Sequence, residues 1–215
     1  EQCLAEGKRL YDMDGKVLAA LFFEPSTRTR LSFETAMHRL GGSVITVAEA
    51  KGSQISSTSK GETLHDTMII NDQYADVIVC RSPQTGAAQV AADAAIHPVI
   101  NAGDGAGQHP SQALLDIYTI YKEKGSPEGL TVALIGDLKY GRTVHSLVDF
   151  LAFYKCKVIM ASPDILAMPQ DIVDGMKAKG VEIEIRKGIN EAVKGADVIY
   201  MTRVQQERFE DINEY

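Results

Sequence analysis

What this sequence lacks narrows it before anything it contains. None of its apolar runs approaches the ~20 residues that span a bilayer, so no membrane helix is expected. With 22 Lys and Arg against 29 Asp and Glu the net charge is −7. A chain of that sign has no general attraction to nucleic acid or anionic lipid, so any basic residue that matters must act locally. Cysteines are few: Cys3, Cys80 and Cys156 are odd in number and widely spaced. They make no disulfide framework and favour a reducing compartment. The histidines show no spacing to Cys or acidic residues that would specify a metal, and none is expected. No short-period repeat or low-complexity tract is present. The chain opens on polar Glu1 and Gln2, without a charged-then-apolar leader, and the cytoplasm is the expected compartment.

What is present is enough to bury a sizeable core: 215 residues, 45% of them hydrophobic. Short runs rich in Val and Ile alternate with longer stretches of helical period, the signature of βαβ units around a parallel sheet. Strands are expected over 16–23, 43–47, 76–80, 99–101, 131–135, 157–161, 181–186 and 197–201, with helices over 27–40, 61–74, 86–95, 110–124, 143–154, 169–179 and 190–194. The turn Gly125-Ser126-Pro127-Glu128-Gly129 continues neither element and marks a domain boundary. The expected architecture is therefore α/β, with two domains, 1–125 and 126–215. Each is a mainly parallel sheet flanked by helices, and an active site is expected in the crevice between them. The polar stretch from Lys51 to Lys60 reads as an exposed loop.

Chemistry concentrates at strand ends. After the first strand the chain runs Ser26-Thr27-Arg28-Thr29-Arg30 into an amphipathic helix. Helix-start N–H groups, hydroxyls and guanidinium groups there converge on a phosphate-sized volume. An ordinary Ser/Thr cap is the plainer explanation, but cations in a first helical turn oppose the helix dipole, at a cost of up to about 1 kcal/mol each. A bound anion explains them better. The same device recurs in Gly136-Asp137-Leu138-Lys139-Tyr140-Gly141-Arg142. Neither this turn nor Gly103-Asp104-Gly105-Ala106-Gly107 completes the spaced-glycine pattern of a dinucleotide site, so no nicotinamide cofactor is expected. Between the cradles lies His109-Pro110-Ser111-Gln112. Proline at the first helical position lets His109 and Gln112 face one side and donate hydrogen bonds to a carbonyl.

These motifs resemble the aspartate and ornithine carbamoyltransferase family along essentially the whole chain. The segments that carry the likeness are Phe23 through Glu34, Lys60-Gly61-Glu62-Thr63, His109-Pro110-Ser111-Gln112 and Gly136 through Leu147. The first and third alone leave the two branches undecided. Arg142 in the second turn, and Met201-Thr202-Arg203-Val204-Gln205, are similar to the branch whose substrate carries carboxylates, where planar guanidinium forks suit the charge.

The resemblance implies carbamoyl phosphate and L-aspartate as substrates, N-carbamoyl-L-aspartate and phosphate as products, a step of pyrimidine biosynthesis, and no cofactor. It assigns Ser26, Thr27, Arg28 and Thr29 to the phosphate, Arg81, His109 and Gln112 to the carbamoyl end, and Arg142, Arg203 and Gln205 to the aspartate. Arg28, Thr29, Arg81 and His109 are the implied catalytic set. Lys60, with Ser56 or a neighbouring serine such as Ser57 or Ser59, is implied to reach a neighbouring subunit's site in a homotrimer open to regulatory chains. Another acceptor amine, or an anion-binding paralogue without turnover, are the alternatives. The family continues beyond Tyr215 to a His-Pro-Leu-Pro turn and a C-terminal helix, and either a truncated chain or the omission of disordered parts is the expectation drawn from that.

Overall fold

Strands buried on both faces must be apolar throughout, and runs such as Val17-Leu18-Ala19-Ala20-Leu21-Phe22 meet that demand only inside a helix-covered parallel sheet. The computed structural model describes residues 6–8, 10–48 and 61–203. Its chain divides into two compact units, Glu1–Gly107 and Gln108–Tyr215. No helix among the described residues is long and apolar enough to cross a membrane.

In the first unit, β1 (Val17–Phe22), β2 (Ser43–Ala48), β3 (Val77–Ser82) and β4 (Val99–Asp104) form a parallel sheet in the order β2-β1-β3-β4. Helices α1 (Arg28–Arg39), α2 (Leu64–Asp72) and α3 (Ala87–Ala94) connect them. One sheet face presents Ala19, Leu21, Ile78 and Cys80 to Met68 of α2 and Ala91 of α3. The other presents Leu18, Ala20, Phe22 and Val79 to Met37 of α1. Burial pushes the Cys80 thiol up to about 12, so it behaves as a small core hydrophobe. Helix α2 starts at Leu64 rather than Gly61 because the Thr63 hydroxyl accepts the Asp66 N–H at 3.1 Å.

The second unit holds α4 (Pro110–Lys124), β5 (Thr131–Ile135), α5 (Arg142–Phe153), β6 (Lys157–Ala161), a 3-10 turn at Asp164–Leu166, α6 (Gln170–Ala178), β7 (Ile183–Ile185), α7 (Ile189–Ala192) and β8 (Val198–Met201). Its sheet is also parallel, in the order β7-β6-β5-β8. Val132, Leu134, Val158 and Met160 point into a core shared with α4, α5 and α6, while Ala133, Ile135 and Ile159 pack on Ala192 of α7. The expected division lay at the Gly125–Gly129 turn. By packing, α4 counts with the second unit, because Ala113, Ile117 and Ile120 enter its core.

Strand order decides where a site is built. In each sheet the first strand is flanked on one side by its successor and on the other by a later strand: β1 by β2 and β3, β5 by β6 and β8. At such a reversal the connections leave toward opposite faces, and a crevice opens beyond the strands' carboxyl ends. Within each unit separately, the segments that line it follow β1 and β3, or β5 and β8.

Candidate active site

In the first unit the reversal brings Phe22 opposite Arg81 in the register of β1 with β3. The segment after β1 therefore passes the end of β3. Arg81 is buried, at 8% exposure. Its guanidinium donates to the Ala102 carbonyl at 3.3 Å, to Glu24 at 3.3 Å and to the Thr29 hydroxyl at 3.4 Å. Arg81 and Thr29, 52 positions apart, are thus brought together. Thr27 precedes α1 without a side-chain cap, and the helix has no acidic residue in its first turn. Its leading N–H groups are left for another partner. The sequence suggested two arginines for an anion. Arg30 instead lies 3.5 Å from Glu34, one turn on, and Glu34 also accepts from Thr46. Arg28 is exposed, and neither its guanidinium nor the Ser26 and Thr27 hydroxyls are hydrogen-bonded among the described residues. One unneutralised cation and an uncapped helix start face the same end of the sheet.

In the second unit the turn after β5 is braced from within. Asp137 is fully buried, and its Oδ1 accepts the N–H groups of Lys139 at 3.1 Å and Tyr140 at 2.8 Å. Leu138 donates its N–H to the Leu166 carbonyl at 3.0 Å, and His145 Nε2 donates to the Leu138 carbonyl at 2.9 Å. That carbonyl can only accept, so the proton of this ring nitrogen is required. Gly136 has φ +108°, and a Cβ there would lie 2.6 Å from the Thr202 hydroxyl oxygen. The glycine is therefore needed for close approach of the segment after β8. The brace delivers Arg142, buried at 7% exposure, as the first residue of α5 rather than one position before it. Arg203 follows β8, whose end is tied to β5 by the Thr202 N–H donating to the Ile135 carbonyl at 2.8 Å.

His109 is buried at the start of α4, ahead of Pro110. Its backbone N–H donates to the Ser146 hydroxyl at 2.7 Å, and Ser146 in turn bonds the Gln108 side chain. The Ser111 hydroxyl lies 3.2 Å from Nδ1. When it donates there, the ring proton sits on Nε2 and makes that atom the donor. Gln112 departs from expectation. Its amide nitrogen, expected to donate outward, donates to Asp116 at 3.0 Å, so the amide oxygen is the end left to a ligand.

Ser56, Lys60 and Gln205 lie outside the described residues. Three side chains that hydrogen-bond to these segments escaped the sequence reading. Asp137 carried a signal, an acidic residue after glycine at a strand end; Ser146 and Asp116 lie inside regular helical pattern and carried none. Among the described residues no group of His, Cys, Asp and Glu is arranged to hold a metal ion.

Comparison with known proteins agrees with this geometry. Residues 2–122 match the carbamoyl-P binding domain of aspartate/ornithine carbamoyltransferases, and residues 128–215 match the Asp/Orn binding domain. The aspartate carbamoyltransferase catalytic subunit of Thermococcus kodakarensis is 56% identical over 201 residues, 94% of this chain. The chain spans 64% of that relative's length. Aspartate transcarbamoylase of Trypanosoma cruzi, solved with carbamoyl aspartate and phosphate, superposes with a TM-score of 0.89 at 46% identity, covering 98% of this chain and 69% of that one. The same enzyme with N-(phosphonacetyl)-L-aspartic acid gives a TM-score of 0.88 at 46% identity, covering 97% and 68%. Two half-sites at strand reversals, each with arginine at a helix start, and a match running through both units lead to one assignment: the chain belongs to the aspartate/ornithine carbamoyltransferase family.

Proposed function

We propose that the whole protein transfers the carbamoyl group of carbamoyl phosphate to the amino group of L-aspartate. The observation that carries this reading is that the segments after the adjacent parallel strands β5 and β8 each bear an arginine, Arg142 and Arg203, since two guanidinium forks suit a dicarboxylate and oppose a cationic amino acid such as ornithine. The solved relative holding carbamoyl aspartate and phosphate supports the same product pair.

In this reading residues 1–125 bind carbamoyl phosphate and residues 126–215 bind aspartate. The α1 N–H groups, Ser26, Thr27, Arg28 and Thr29 hold the phosphoryl group. Arg81, Thr29 and His109 donate to the carbamoyl oxygen, and Gln112 contacts the carbamoyl nitrogen. The uncharged amine attacks the carbamoyl carbon and a C–N bond forms. The tetrahedral intermediate then expels phosphate by breaking the C–O bond, and the phosphate takes the amine proton. Donors aimed at the developing oxyanion are worth about 3 to 4 kcal/mol each where the group is key, and holding two anions in contact supplies further acceleration by positioning. Arg142, Arg203 and Gln205 hold the aspartate. Lys60 and Ser56 complete the site from a neighbouring chain of a cyclic trimer, in the cytoplasm, and regulatory chains are compatible with that assembly.

The test is product identity. The full-length protein, given carbamoyl phosphate with aspartate or ornithine, should form N-carbamoyl-L-aspartate and no citrulline. Citrulline as the main product would overturn the acceptor. Tight binding of a bisubstrate analogue with no product from either amine would make the chain a silent anion binder.

A further inference from the structure

One carboxylate in the second unit, outside every residue assigned above to a substrate, joins two of the elements that carry them. Asp116 is half-buried in α4, one turn after Gln112. Its Oδ1 accepts the Gln112 amide nitrogen at 3.0 Å, and its Oδ2 accepts the Tyr200 hydroxyl at 3.0 Å. Tyr200 lies in β8, three residues before Arg203, and the Thr143 side chain, next to Arg142, is within hydrogen-bonding reach of the same hydroxyl. Three site-bearing segments, the α4 start, the α5 start and the β8 end, thus converge on two side chains.

The chemistry of the pair fixes a direction. An ionised carboxylate only accepts hydrogen bonds, so Gln112 must turn its NH2 toward Asp116 and its oxygen outward. That oxygen makes no hydrogen bond among the described residues. An outward oxygen accepts from an N–H group. It suits the carbamoyl NH2 and offers nothing to an acyl group that has a methyl in its place. Burial disfavours ionisation of both partners, raising Asp116 and pushing Tyr200 up to about 12. A contact kept despite that cost is in keeping with a positioning role.

We propose that Asp116 and Tyr200 are positioning residues for the transfer: Asp116 sets the Gln112 amide to read the carbamoyl nitrogen, and Tyr200 ties that setting to the β8 segment bearing the aspartate-binding Arg203. The inference rests on the proposed reaction. It assigns acyl-donor selectivity to a residue that touches neither substrate.

The full-length protein and its Asp116→Leu, Asp116→Asn and Tyr200→Phe variants test this, with carbamoyl phosphate or acetyl phosphate as acyl donor. Asp116→Leu should raise the carbamoyl phosphate KM about tenfold and shrink the preference for carbamoyl over acetyl phosphate, while inorganic phosphate binds with unchanged affinity. Asp116→Asn, whose amide oxygen still accepts from Gln112, should stay within about threefold of wild type. Tyr200→Phe should raise the aspartate KM about fivefold and leave the carbamoyl phosphate KM alone. If the Leu variant does not fold, the Asn and Phe variants decide. An active wild type whose variants lose melting temperature but keep both KM values and the donor preference would overturn the positioning role alone. A wild type that forms no N-carbamoyl-L-aspartate would overturn the reaction and this inference together.

Discussion

The two units build a helix start at a strand reversal in opposite ways. The α1 start in the first unit is left uncapped, and Arg28 beside it has no ion-pair partner among the described residues. The turn before α5 in the second unit is closed on itself by Asp137, Leu166 and His145 before any ligand arrives. In the proposed reaction the first half-site would be finished by its ligand, whose oxygens would supply the missing cap. The second is braced by the protein itself, and its ligand would meet side-chain charges on a frame already set. Ligand binding should therefore change the stability of the first unit more than that of the second.

The largest effect expected from breaking this comparison is at His109, the residue before α4. His109→Ala should lower kcat about 100- to 1,000-fold with little change in aspartate KM, because the donor acts on the intermediate rather than on the ground state. Mixing it with an equally inactive Lys60→Ala chain should restore activity on subunit exchange. Confirmed mixed trimers without recovery would rule out a site shared between chains.

Next come the paired arginines. Arg28→Ala should weaken phosphate binding about 10- to 100-fold in calorimetric titration, and Arg142→Ala should raise the aspartate KM by a similar factor without altering phosphate affinity. The comparison fails if both changes act on the same ligand.

Asp137→Ala sharpens it further. Losing a buried acceptor for two N–H groups should lower stability by about 1 to 3 kcal/mol in denaturant unfolding, and raise the aspartate KM several-fold. The first unit offers no counterpart, since Thr27 caps nothing: Thr27→Ala should leave the melting temperature of the unliganded protein unchanged while weakening phosphate.

The smallest effect is a control on the far side of the second sheet. Glu184 is held at about 2 by hydrogen bonds from Arg186 and Lys157, below the ordinary value of 4.5. A lowered carboxylate contributes stability above its unfolded value, and that contribution is lost as pH falls through the folded one. Glu184→Gln should therefore keep wild-type kinetics. Any melting-temperature gap from wild type, present at neutral pH, should narrow between pH 4.5 and about 2. A changed KM would mean the site extends further than its strand ends.

Much of this was legible in the residues. The strand runs were readable because a sheet covered on both faces leaves no polar alternative, and every expected strand is found within a few residues of its place. The first cradle was readable because its groups are consecutive. What the sequence did not reveal for Arg30 is its neighbour Glu34 on the same helix face, one turn away, where a local ion pair competes with any ligand. The Pro and Gly turn read as the boundary lies between the two family-domain matches, residues 2–122 and 128–215, while the packing of α4 on the second core could not be read from where an element stops.

Composition and periodicity by themselves determined the α/β class, the order of elements and the chemical type of both cradles, since those depend on burial and on helix-start electrostatics within a few residues. Only the tertiary structure decided that Arg81 meets Thr29 and that Asp137 braces the turn ahead of Arg142. It also decided that the Gln112 amide turns inward. That last choice depends on Asp116 and on Tyr200, 84 residues further along, which strand order alone brings to the same carboxylate.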